Sequence, residues 1–112
     1  MSGDIALYLR DILESIKLLK KYTEGIEEAE FNKDFELQDA VTRRLEIVGE
    51  AVKHIPLRTR NQFKNIPWQK IAGMRDMLTH EYFGVNPHRV WKTIKEDLPD
   101  LENKITKILA SE

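Results

Sequence analysis

Apolar residues in this chain return every third, fourth or seventh position, and nowhere do they alternate with polar ones over the length of a strand. From Asp4 to about Glu28, Ile5, Leu9, Ile12, Ile16, Leu19 and Ile26 form one helical stripe, with Ser2 or Asp4 able to cap its start. Gly25 or the polar run Glu27–Glu30 frays its end. A second stripe runs from about Asp34 to His54 through Leu37, Val41, Leu45, Val48, Val52 and Ile55, and Pro56 stops it. Ala40, Ile47 and Ala51 give that helix a second apolar edge, expected of a helix that lies centrally or is shared with another subunit.

The remaining segments follow the same logic. Residues 57–66 form a polar, basic connection with room for a short helical turn at most. Pro67 opens a third helix that reaches about Tyr82 and carries Trp68, Ile71, Leu78 and Tyr82. Gly84 closes it, Asn86 caps the next helix and Pro87 opens that one. Val90, Trp91, Ile94 and Leu98 follow, and Pro99 kinks or restarts the helix before Leu101, Ile105, Ile108 and Leu109. The expected fold is all-α: an antiparallel four- to five-helix bundle in one domain over residues 1–112, since 112 residues leave no room for two independent cores.

Composition removes several function classes. The absence of Cys excludes disulfide scaffolds, cysteine-rich zinc ribbons and thiol catalysis. No apolar run approaches the roughly 20 residues of a membrane span, and the acidic N-terminal stretch lacks a signal peptide's basic region, so a cytoplasmic protein without membrane contact is expected. Eighteen Lys and Arg against nineteen Asp and Glu give a net charge of −1, which disfavours a passive nucleic-acid coat but not an enzyme that grips a few phosphates.

The stretch from Ile71 to Val85, IAGMRDMLTHEYFGV, carries the chemistry. Ile71, Arg75, Leu78 and Tyr82 share a helical stripe, so Arg75 stands where an apolar residue is the ordinary choice. His80 lies about 140° round a regular helix from Arg75, so the two converge only if the helix loosens, Arg75 reaches across or two copies meet about a dyad. Each residue also has a plain structural reading. Arg75 can pair with Glu50 or Glu46, His80 can interact with the helix dipole, and Tyr82 can be a core aromatic with a wet hydroxyl. Taken together beside Asp76, they suit metal-free RNA cleavage. The guanidinium binds phosphate and stabilises the charge developing on it, while the imidazole moves protons near neutral pH. Cleavage by the ribose 2′-OH restricts the substrate to RNA. Carboxylates do not cluster as a two-metal nuclease needs, and neither a metal nor another cofactor is expected.

These residues resemble a known family. In Arg43 to Ala51 (RRLEIVGEA) and Ile66 to Trp91, and across nearly the whole chain, the sequence is similar to the HepT-like branch of the HEPN-domain proteins, ribonuclease toxins encoded beside minimal, MntA-like nucleotidyltransferase antitoxins. The family motif of Arg, four to six residues, His, any residue and Tyr is matched by Arg75, His80 and Tyr82, and the polar residue that usually follows the Arg is Asp76. The resemblance implies a homodimer with two motifs in one cleft, Arg75 and His80 as catalytic residues, and Tyr82 as the residue to which the cognate antitoxin transfers AMP. An anionic adenylate there would compete with RNA for Arg75.

Glu50 orients Arg75 or His80 from the neighbouring helix, or is a structural ion-pair partner. Arg58 and Arg60, within a locally basic stretch, are candidates for an RNA path, although such a run is usually a solvated face. His54 and His88 read as surface or capping residues, Trp68 and Trp91 as core anchors, and Tyr8 and Tyr22 as helix-face residues. Two other classes of function remain: a non-catalytic nucleotide-binding module that pairs with a nucleotidyltransferase, and a purely structural helical dimer.

Overall fold

The computed structural model describes residues 2–80 and 86–111, with the side chains of residues 76–80 left aside. Among the described residues all regular structure is helical. The first stripe folds as α1 (Gly3–Thr23), whose start is capped by Ser2 accepting the Ile5 N–H on its Oγ at 3.3 Å. It ends earlier than the stripe predicts. Gly25 turns the chain with a φ of +74°, and the acidic run expected to fray instead opens a separate short helix, α2 (Glu28–Lys33). Phe31 gives α2 its reason to form, since its ring is buried in the core and packs on Trp91 at 5.3 Å between centroids.

The second stripe becomes α3 (Phe35–Lys53), with Asp34 accepting the Leu37 N–H at 3.0 Å and His54 closing the helix just before Pro56. The basic connection holds more than one turn: α4 (Leu57–Gln62) fills it. Arg60 donates from Nε to the Ile55 carbonyl at 2.9 Å and from Nη2 to that of Val52 at 2.8 Å, so its guanidinium satisfies carbonyls left open where α3 ends. Next comes α5 (Trp68–His80), which begins immediately after Pro67 and is anchored by buried Trp68, whose indole N–H donates to the Phe63 carbonyl at 3.0 Å. The predicted end of this helix near Tyr82 and Gly84 lies outside the described residues.

Asn86 caps α6 (Pro87–Lys92) through the His88 N–H at 2.9 Å, with Pro87 as the first helical residue. The disturbance expected at Pro99 takes a specific form. Residues Thr93–Asp97 make a π-helical turn in which the Leu98 N–H reaches the Thr93 carbonyl, and α7 (Leu98–Ala110) restarts with Pro99 as its second residue, where a missing N–H is tolerated.

The long helices lie in the spatial order α5, α3, α1, α7. Tyr8 near the start of α1 meets His54 at the end of α3, and Lys20 late in α1 meets Glu102 early in α7, so both pairs run antiparallel. One core joins them, with Leu9, Ile12, Ile16, Leu19, Val41, Val48, Val52 and Ile105 fully buried. Of the second apolar edge of α3, Ala51 is covered within the chain, Ile47 is half-buried and Ala40 is exposed. No helix among the described residues is long and apolar enough to cross a membrane.

Candidate active-site groove

The site begins with a glycine. At Gly49 a Cβ would run into the Cβ of Arg75 and would stand 3.1 Å from its backbone N and 3.2 Å from its Cα. Only a residue without a side chain lets α5 approach α3 this closely, and the approach fixes the backbone of Arg75 against its neighbour. From that point the guanidinium reaches one residue along α3, where its Nε forms an ion pair with Glu50 Oε2 at 3.2 Å. Of the two partners open to Arg75, Glu50 takes this bond, while Glu46 stands 3.7 Å from Arg43. Both Arg75 and Glu50 remain accessible, with about a third and a half of their side chains exposed. A guanidinium placed by its backbone and paired with Glu50, with about a third of its side chain exposed, can still donate to an incoming phosphate.

Arg75 and Glu50 line a groove of about 300 Å³ together with Tyr8 and Asp11 from α1 and Arg43, Glu46, Ile47, Ala51 and His54 from the α3 side. His54 stands there in two contacts. Its ring stacks on Tyr8 with centroids 4.8 Å apart and planes 9° from parallel, and its Nε2 lies 3.6 Å from Glu50 Oε1. Glu50 therefore spans the imidazole of His54 and the guanidinium of Arg75. The sequence reads Tyr8 as a helix-face residue and His54 as a surface or capping residue, and His54 is indeed exposed and caps the end of α3, but neither reading brings the two rings together. The only sequence signal for their site was the i,i+4 spacing of Glu50 and His54, which puts both on one face of α3.

The other expected site residues divide. His80 is the last described residue of α5, which stays helical up to it; its side chain and that of Asp76 lie outside the described set, as does Tyr82 altogether. Arg58 is exposed on α4, whereas Arg60 is half-buried on the end of α3. His88 pairs with Glu28 at 3.0 Å and ties α6 to α2. Among the described residues no group of three or more His, Asp or Glu side chains is placed to hold a metal ion.

Comparison with known proteins gives a consistent set of relatives. The family described as ribonuclease HepT-like matches residues 12–108. The chain is 46% identical over 105 residues to a protein of Caldanaerobacter subterraneus subsp. tengcongensis provisionally named an RNase, covering 94% of both chains. It is 46% identical over 101 residues to a protein of Thermococcus cleftensis provisionally named ribonuclease HepT, covering 90% of this chain and 92% of the relative. A longer Methanocaldococcus jannaschii protein, whose name joins a gamma-glutamylcyclotransferase to a provisional RNase, is 45% identical over 109 residues. The chain spans 49% of that relative's length. No solved structure gives a significant match.

Proposed function

The chain belongs to the ribonuclease HepT-like family, and from that premise we propose that it is the endoribonuclease toxin of a toxin–antitoxin pair, acting on RNA in the cytoplasm without a metal ion. The ribose 2′-OH attacks the adjacent phosphorus, the bond to the 5′-oxygen breaks, and the products are a 2′,3′-cyclic phosphate and a 5′-hydroxyl. Arg75 binds the phosphate and the charge that builds on it. His80 takes the proton of the 2′-OH or supplies one to the departing 5′-oxygen. The observation that carries this reading is the guanidinium of Arg75, fixed by the close approach at Gly49 and still open to the groove.

The active unit is a homodimer. Positions 75 and 80 of a regular helix stand about 140° apart, and α5 is helical between them, so a guanidinium from one copy and an imidazole from the other meet more readily than two from the same copy. The uncovered part of the second apolar edge of α3, at Ala40 and Ile47, supports a shared surface. Asp76 polarises the motif beside Arg75, and Arg58 guides RNA along the basic side of α4. Arg60 joins that path only through what its two bonds to carbonyls leave over. Tyr82 is the off-switch: a cognate MntA-like nucleotidyltransferase transfers AMP to it, and the added anion and bulk keep RNA from Arg75.

The test is cleavage of RNA in excess EDTA, read by the ends produced. Cyclic phosphate ends from the native chain, lost in Arg75→Ala and His80→Ala, are expected; cleavage retained in either variant overturns the assignment. Intact mass after co-expression with a nucleotidyltransferase tests the switch, which predicts added mass in whole AMP units mapped to Tyr82. The Arg75–Glu50 ion pair favours one other reading, a non-catalytic module that holds a nucleotide or a nucleotidyltransferase surface. It predicts heat on titration with ATP and no cleavage of RNA by the unmodified dimer.

A further inference from the structure

The groove beside Arg75 contains an aromatic pair that phosphate chemistry does not require. Tyr8 is half-buried against the core and holds the ring of His54 flat upon it, at 4.8 Å between centroids and 9° between planes. One imidazole face is therefore covered. About half of the side chain is still exposed. At the ring's edge Nε2 stands 3.6 Å from Glu50 Oε1, while the second oxygen of Glu50 pairs with Arg75 at 3.2 Å. A single carboxylate thus sets the distance from a flat, open ring to a phosphate-binding guanidinium. The groove that contains both, about 300 Å³, is at the small end of ligand pockets and suits one nucleoside rather than a long oligonucleotide.

We infer that the Tyr8–His54 stack is a nucleobase platform: the base next to the phosphate held by Arg75 lies on the outer face of the His54 imidazole. This rests on the RNA-cleaving reading of Arg75 given above. Every base has a π face, so stacking holds a single-stranded nucleotide without reading its identity. A ring already stacked on Tyr8 and steadied by Glu50 loses little freedom when a base arrives. Positioning the base limits rotation of the attached ribose, whose 2′-OH must lie in line with the bond that breaks. His54 is then a substrate-positioning residue, and the neighbouring acids Asp11, Glu46 and Glu50 discourage phosphates from settling on the platform itself.

The test uses 2′-O-methyl hexanucleotides, which cannot be cut, each with 2-aminopurine at one position. Fluorescence reports stacking and anisotropy reports affinity, while cleavage of the matching unmethylated RNA is followed in parallel. The native chain is expected to quench 2-aminopurine at one position of the bound strand. His54→Phe, which keeps a ring, preserves the quench. His54→Gln, which keeps a polar group within reach of Glu50 but has no ring, loses it and binds roughly 5- to 30-fold more weakly, the lower part of the range for one base on one aromatic ring. Equal quenching and affinity in the native chain and His54→Gln overturn the platform. So does a native chain that cuts RNA with no quench at any position, and that result leaves the ribonuclease reading standing. A native chain that neither binds nor cuts RNA overturns the ribonuclease reading and the platform with it.

Discussion

The seam between α1 and α7 and the seam between α3 and α5 are built on opposite principles. The α1–α7 seam is aliphatic: Leu9, Ile12, Ile16, Leu19 and Ile105 are fully buried, Leu101 and Ile108 nearly so, and the Lys20–Glu102 ion pair sits at the edge. At the α3–α5 seam a glycine lies against the Cβ and backbone of an arginine, and the charges of Arg75 and Glu50 lie directly beside it. A chain selected for stability alone would put a larger apolar pair there, because a half-exposed ion pair contributes little. On the proposed function, the difference separates the part of the molecule that holds it together from the part that does its work.

If that division is sound, substitutions on the two seams should fail in different assays. Leu9→Ala empties a fully buried position and should lower unfolding free energy by about 2–5 kcal/mol, read by chemical denaturation, with the remaining folded fraction cutting RNA normally. Arg75→Ala should do the reverse: cleavage falls about 100- to 1,000-fold, as when one preorganised charge-stabilising donor is removed, while unfolding free energy changes by less than about 1 kcal/mol. Gly49→Ala is the one substitution expected to register in both assays. Its methyl group meets the Cβ and backbone of Arg75 rather than a flexible side-chain end, so α5 must shift, at about 1–3 kcal/mol, and cleavage drops with the displacement of Arg75. Lys20→Met, at the rim of the aliphatic seam, should change stability by no more than about 1 kcal/mol and leave cleavage untouched. A Gly49→Ala protein with native stability and activity would erase the distinction between the seams.

The legibility of the sequence follows the same division. α3 could be read nearly to the residue because its signals are local: the unbroken stripe and the stop at Pro56. α2 could not, since six residues with one buried ring carry no periodicity, and the π-helical turn before Pro99 depends on how the chain accommodates a missing donor. Within the candidate site, Arg75 announced itself as a charge on an apolar stripe, and Glu50 as its nearest plausible partner. The reason for Gly49 was hidden, because it lies in the backbone of another helix. Tyr8 and His54 were hidden too. Their meeting depends on the register of α1 against α3, which neither stripe encodes, and each alone is an ordinary helix-face residue.

The central claim, that Arg75 is present for phosphate and not for packing, is tested most directly by measuring one variant in two ways. Single-turnover cleavage of RNA in EDTA and a thermal melt are recorded for Arg75→Ala beside the native protein. The account predicts cleavage at least about 100-fold slower with a melting temperature within a few degrees of native. Unchanged cleavage would contradict it, and so would a collapse of the melt that accounts for all the activity lost.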